Sequence, residues 1–200
     1  MRLLLAFLGL VVYGPIAAQP AAQPPAWTHF VDSARTAWEG PESKLLTPEE
    51  QLAFAGVAYF PYDSAFAVPA RYVPVKQADT LYVPTSRQRT SRYLPIADVH
   101  FTLADSAATL TVYRGLDPWS EMDTHFLMFT DVSNVEGTYG GGRYLDLRDV
   151  DETQDTVTVD FNFAYNPYCA YADKFSCPIP PAHNDVPVAI RAGARVEESH

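Results

Sequence analysis

Two short stretches in the last third of the chain alternate apolar and polar residues with a period of two, and this constrains the fold more than any other feature. From Arg143 to Arg148, Leu145 and Leu147 alternate with Tyr144 and Asp146. From Thr156 to Phe163, Val157, Val159, Phe161 and Phe163 alternate with Thr158, Asp160 and Asn162. Successive side chains of a strand point to opposite faces, so each stretch is expected to be a half-buried strand. The segment VDETQD between them has the polarity and length of a hairpin turn, which predicts that the two strands pair. A one-residue slip turns an apolar set to the wrong side. Only registers that keep Leu145 and Leu147 on the face of Val157 and Val159 are then allowed, with Tyr144, Asp146, Thr158, Asp160 and Asn162 opposite.

Further short strands are expected at 70–75, 80–83, 92–94, 99–103, 109–113, 126–130 and 186–191, separated by turn residues. Strands and helices do not alternate, which excludes a doubly wound sheet. The expected class is mainly β: a single domain built as an antiparallel β-sandwich or barrel with two short N-terminal helices. Trp27, Phe30, Val31, Ala34 and Trp38 recur at helical spacing and predict the first helix. Thr47, Pro48 and Glu50 form a capping box with proline at the first helical position, and they open the second.

The N-terminus predicts export. Arg2 precedes an apolar run from Leu3 to Val12, and small residues follow at Ala17 and Ala18, so residues 1–18 are expected to be a signal peptide. The run is too short to span a bilayer, so no stable membrane span is expected after cleavage, and the protein is placed in the periplasm or outside the cell. Residues 19–26 form a Pro/Ala/Gln spacer, and residues 27–200 form the domain. Losing Arg2 takes the formal charge from −10 to −11. No Lys/Arg cluster offers a surface for phosphates, which argues against nucleic acid. In an exported chain Cys169 and Cys177 are expected to form a disulfide, which would stabilise by about 2.5 kcal/mol; a two-thiolate metal site or free thiols are the alternatives.

The candidate chemistry gathers between Tyr139 and Tyr171. Gly140, Gly141 and Gly142 precede a strand and not a helix, so they cannot open a nucleotide loop, although they can form a tight turn or a nest of backbone donors. Arg143 shares the parity of Leu145 and begins its strand pointing inward. A buried guanidinium needs a partner, for which Asp131 and Glu136 are available. A mixed site is expected, with one carboxylate of the protein on Arg143 and part of the fork reachable by an anionic ligand. Asp160, Asn162, Tyr165, Asn166 and Tyr168, with Tyr139, then supply a cup of aromatic walls and hydrogen-bonding groups suited to a small polar ligand. No cofactor is called for: the Asp149–Asp155 run lacks the glycine of a calcium loop, and neither HExxH nor GxSxG occurs. The lone histidines give no support to a catalytic one. The function expected is a binding module for a small polar or anionic ligand. The alternatives are an interaction domain without pocket chemistry and a hydrolase using Asp146 or Asp160 as base.

The segments YFPYDSAFAVPARY, FTDVSNVEGTYGGGRYLDL, DFNFAYNPYCAY, SCPIPP and VPVAIRAG occur in this order. As a set they resemble the family catalogued as domain of unknown function 1684, over residues 46–195. The resemblance implies no activity, substrate or cofactor. Two departures stand out: Phe163 where the family usually has a basic residue, and His183 within PPAHN where it has an acid.

Overall fold

A computed structural model describes residues 23–118, 124–134 and 136–196. The expected signal peptide and the first residues of the spacer lie outside these. The spacer's last residues do not behave as a linker: Pro25 and Ala26 already belong to α1 (Pro25–Glu39). Proline suits a first helical turn, where its missing N–H has no partner to lose. The expected capping box starts α2 (Pro48–Ala53): Thr47 Oγ1 accepts from the Glu50 N–H at 3.2 Å, and Glu50 Oε2 accepts from the Thr47 N–H at 2.7 Å. No described helix is long and apolar enough to cross a membrane.

The rest is mainly β, as the periodicity predicts. β1 (Ala58–Tyr59) and β10 (Ala194–Arg195) form a small two-stranded sheet. The main sheet contains β2 (Ala67–Pro74), β3 (Leu81–Pro84), β4 (Thr90–Leu103), β5 (Ser106–Gly115), β6 (His125–Asp131), β7 (Arg143–Leu147) and β8 (Thr156–Asp160). Its order is β7-β6-β5-β4-β2-β8, with β3 also paired to β4 and β9 (Asp185–Val186) added parallel to β6. Two expected strands merge into β4. Its first half pairs with β3 and its second with β2, around a bulge between Pro95 and Ala97. A bulge bends the strand and increases its twist, which helps the sheet to curl. The β4–β5 hairpin turns on Ala104 and Asp105, both at positive φ, the geometry that matches the twist of paired strands.

The sheet curls into a half-barrel. Leu145 and Leu147 of β7 and Val157 and Val159 of β8 meet in one core with Ala97, Val99, Leu110, Val112, Leu127 and Phe129. The parity deduced from sequence is therefore right, but the hairpin is not. β7 pairs with β6 and β8 with β2, so the two strands are opposite edges of the sheet and share no ladder. Parity fixes which face a strand buries, but not its neighbour. Between β5 and β6, paired only at Tyr113 and Phe126, Asn184 stands in for a strand residue. Its Oδ1 accepts from the Thr111 N–H at 2.8 Å, and its Nδ2 donates to the Thr111 and Met128 carbonyls at 2.9 and 3.0 Å. α1 lies across the core's edge through Trp27 and Phe30, and Trp27 Nε1 donates to the Asn162 carbonyl.

Candidate functional site

Arg143 departs most from expectation. It points inward, as its parity requires, but it is wholly enclosed and nothing of its fork reaches solvent. Nη2 donates to Asp131 Oδ2 at 2.7 Å and to the Ile190 carbonyl at 2.8 Å, and Nη1 donates to the carbonyls of Ala192 and Ala194. Phe129 lies under the guanidinium at 5.5 Å. Burial lowers the pKa of the guanidinium, and the charge of Asp131 opposes that. The other oxygen of Asp131 accepts from the N–H groups of Ser133 and Ile190 and from the Ser133 hydroxyl. Arg143 thus staples the C-terminal segment to β6 and β7, and the expected mixed site is corrected to a structural one. The glycines before it make a turn: Gly142 has φ +85°, and a Cβ there would lie 2.6 Å from the Phe129 carbonyl oxygen.

Asp160 and Asn162 also serve the fold. The Asp160 carboxylate accepts from the Asn162 backbone and side-chain N–H groups, and Asn162 binds both the N–H and the carbonyl of Asp63. Asn162 is buried, not on the polar face that strict alternation assigns to it, because the chain turns into a 3-10 helix at Phe161–Phe163. Asn166 is buried as well; its amide donates to the Tyr171 hydroxyl at 3.1 Å. Tyr139 approaches Cys169, with its hydroxyl 3.8 Å from Sγ.

Tyr165, Tyr168 and Asp146, in contrast, come together. They line a cleft of about 440 Å³ on the outer face of the sheet. Its floor is Tyr93, Phe126 and Tyr144, on the side of β4, β6 and β7 turned away from the main core. Tyr93 and Phe126 stack at 5.8 Å, and Phe126 meets Tyr144 edge-on at 5.0 Å. Its wall is the loop from Tyr165 to Pro178, held in place at both ends. Tyr144 and Tyr165 exchange backbone hydrogen bonds at 2.9 and 2.8 Å, and the Tyr144 hydroxyl donates to the Pro178 carbonyl. Cys177 and Ser86 are joined through their backbones, and the hydroxyls of Ser176 and Thr85 lie 2.7 Å apart. The Tyr165 hydroxyl donates to Asp146 Oδ2 at 2.9 Å, which fixes one carboxylate oxygen among the rings. Asp146 is the only carboxylate among the described residues lining this cleft, and Arg89 and Lys174 stand at its rim. Tyr168 is shared: one edge faces the cleft, while its ring packs on Trp38 at 5.1 Å.

The expected disulfide is corrected. Both cysteines are free, and the Cys169 N–H donates to Cys177 Sγ at 3.2 Å. Burial pushes the Cys177 thiol up to about 12. Burial likewise raises Tyr93 to about 12 and Tyr144 further still, so the floor of the cleft is neutral and hydrogen-bonding at ordinary pH. Sequence reasoning missed Tyr93 and Phe126. Phe126 is signalled by parity, one residue out of phase with the core-facing Leu127 and Phe129, but Tyr93 shares the odd parity of Ala97, Val99 and Phe101, and only the bulge between Pro95 and Ala97 turns it to the other face.

A model of the family described as "Protein of unknown function (DUF1684)" matches residues 52–195. The chain is also similar to a protein of Haloarcula marismortui, described as uncharacterized, whose solution NMR structure is known. The two are 35% identical with a TM-score of 0.67, over 88% of this chain and 94% of that one. No curated protein matches the chain.

Proposed function

We propose, from the premise that this chain belongs to the DUF1684 family, that it is an exported binding module for a small polar ligand held in the aromatic cleft. The observation that carries this reading is a fixed carboxylate oxygen, Asp146 Oδ2, set among the rings of Tyr93, Phe126, Tyr144, Tyr165 and Tyr168. Its volume lies within the ~300–1,000 Å³ of small-molecule sites, which combine apolar walls with a few placed polar groups. A pyranose fits this chemistry. Its C–H face packs on an aromatic ring, and a hydroxyl donates to a carboxylate. Arg143 gives no support to the anionic alternative for this cleft, because it is wholly enclosed and its Nη donors are taken within the core.

The test is titration with a panel of neutral mono- and disaccharides, followed by amide chemical shifts. Saturable shifts are expected at Gly115, Asp146, Tyr165 and Ser176, with affinity falling by about tenfold, ~1.4 kcal/mol, in Asp146→Asn. Tyr165→Phe is expected to weaken binding while costing only about 1 kcal/mol of stability for the lost hydrogen bond. Shifts confined to other surfaces, or binding unchanged in Asp146→Asn, would remove this reading.

A further inference from the structure

The open mouth of the half-barrel, away from the aromatic cleft, holds a partly exposed guanidinium for which the described residues supply no hydrogen-bond acceptor. Arg114 follows Leu110 and Val112 along β5 in the core-facing phase, and it reaches the mouth where the apolar core ends. It lines a cavity of about 810 Å³ with Tyr72, Leu94, Pro95, Ile96 and Lys76. Among the described residues the Arg114 side chain makes no hydrogen bond. Its Nε is shut off from solvent without an acceptor, and its one ion pair, Nη2 to Glu152 Oε1, is long at 3.6 Å. The same Glu152 oxygen is the closer partner of His125 Nε2, at 2.9 Å. Lys76 has no ion pair among the described residues, and Asp79 is the other carboxylate along the cavity wall. Among the described residues Arg143 Nε is likewise without an acceptor, but the two Nη atoms of Arg143 donate to four oxygens, whereas those of Arg114 donate to none within hydrogen-bond distance.

A guanidinium presents its donors in a planar fork that matches a carboxylate, and a buried donor without an acceptor is costly. The surrounding Tyr72, Leu94, Pro95 and Ile96 supply apolar surface beside that fork. We infer that the barrel mouth is a second binding site, for a small organic carboxylate whose charged end sits on Arg114 and whose apolar body lies against Leu94, Pro95, Ile96 and Tyr72. Side chains fill the core behind the mouth, so the ligand rests in the opening and does not enter the barrel. Glu152 comes from the exposed linker between β7 and β8, with its side chain 56% accessible, and it already holds Arg114 weakly. It therefore acts as an internal competitor, which the ligand's carboxylate displaces.

The probes are benzoate and octanoate, with benzyl alcohol and octanol as neutral counterparts of the same shape. Chemical shifts are followed for the wild type, Arg114→Gln and Glu152→Gln. The carboxylates are expected to shift Tyr72, Leu94 and Arg114 saturably and to bind about tenfold more tightly than the alcohols. Arg114→Gln should erase that preference. Glu152→Gln, an exposed change that spares the fold, should tighten carboxylate binding severalfold by removing the competitor. Equal binding of acids and alcohols, weaker binding in Glu152→Gln, or no saturable shift at the mouth would each overturn the inference. Loss of sugar binding in Asp146→Asn would leave it untouched, since that residue lines a different cleft.

Discussion

Replacing Arg143 by methionine tests the enclosure of its guanidinium most directly. Methionine fills much of the same volume but removes every donor. The Asp131 carboxylate then keeps its bonds from Ser133 and Ile190 and loses its counter-charge, while the Ile190, Ala192 and Ala194 carbonyls lose theirs. Both partners of the pair have 0% side-chain exposure, so water cannot replace the lost contacts without opening the core. Breaking a buried pair costs ~3–5 kcal/mol. Each carbonyl left unpaired adds to this, and movement of the C-terminal segment toward solvent recovers part. Out of a total stability of ~5–15 kcal/mol the loss is large. With a urea slope of about 2 kcal/mol/M it lowers the unfolding midpoint by ~1.5–2.5 M. Equilibrium urea unfolding, followed by tryptophan fluorescence, measures it. Because Asp131→Asn breaks the same pair, the double variant is expected to cost clearly less than the sum of the two single changes. A midpoint shift below about 0.5 M at unchanged slope, roughly 1 kcal/mol, would refute the argument and return Arg143 to a solvent-facing role.

Two more outcomes are expected. Burial raises Tyr93 and Tyr113 to about 12 and Tyr144 beyond that, against an ordinary value of 10. The unfolded chain therefore loses these protons first; stability is intact below pH 10 and falls as pH rises from 10 toward 12. Urea midpoints between pH 8 and 12, with phenolate absorbance, check this, and normal titration near 10 in the folded protein would contradict it. For the cysteines, thiol titration is expected to find two groups in the denatured chain. In the native protein Cys177, buried and raised to about 12, should react far more slowly than the partly exposed Cys169. A single disulfide and no thiol would contradict the free pair.

What the sequence determines on its own is local and periodic. Alternation along 143–148 and 156–163 places Leu145, Leu147, Val157 and Val159 together on one face, because successive side chains of a strand point to opposite faces, and that face is the main core. Thr47, Pro48 and Glu50 mark a helix start that can be read locally, since the capping bonds close within four residues. Arg143 points inward for the same reason of parity. The tertiary structure alone decides who meets whom. β7 and β8 are close in sequence but lie at opposite edges of the sheet, β7 paired along its whole length with β6 and β8 with β2, a choice of neighbour that alternation does not encode. The acceptors of Arg143 include three backbone carbonyls some fifty residues away, and every residue carries such a carbonyl, so no side-chain pattern can mark them. The aromatic cleft joins β4, β6 and β7 to the Tyr165–Pro178 loop, and the barrel mouth joins Arg114, His125 and Glu152 across three segments. In both places the chemistry comes from curling one sheet until residues distant along the chain share a wall, and curvature leaves no periodicity in the sequence.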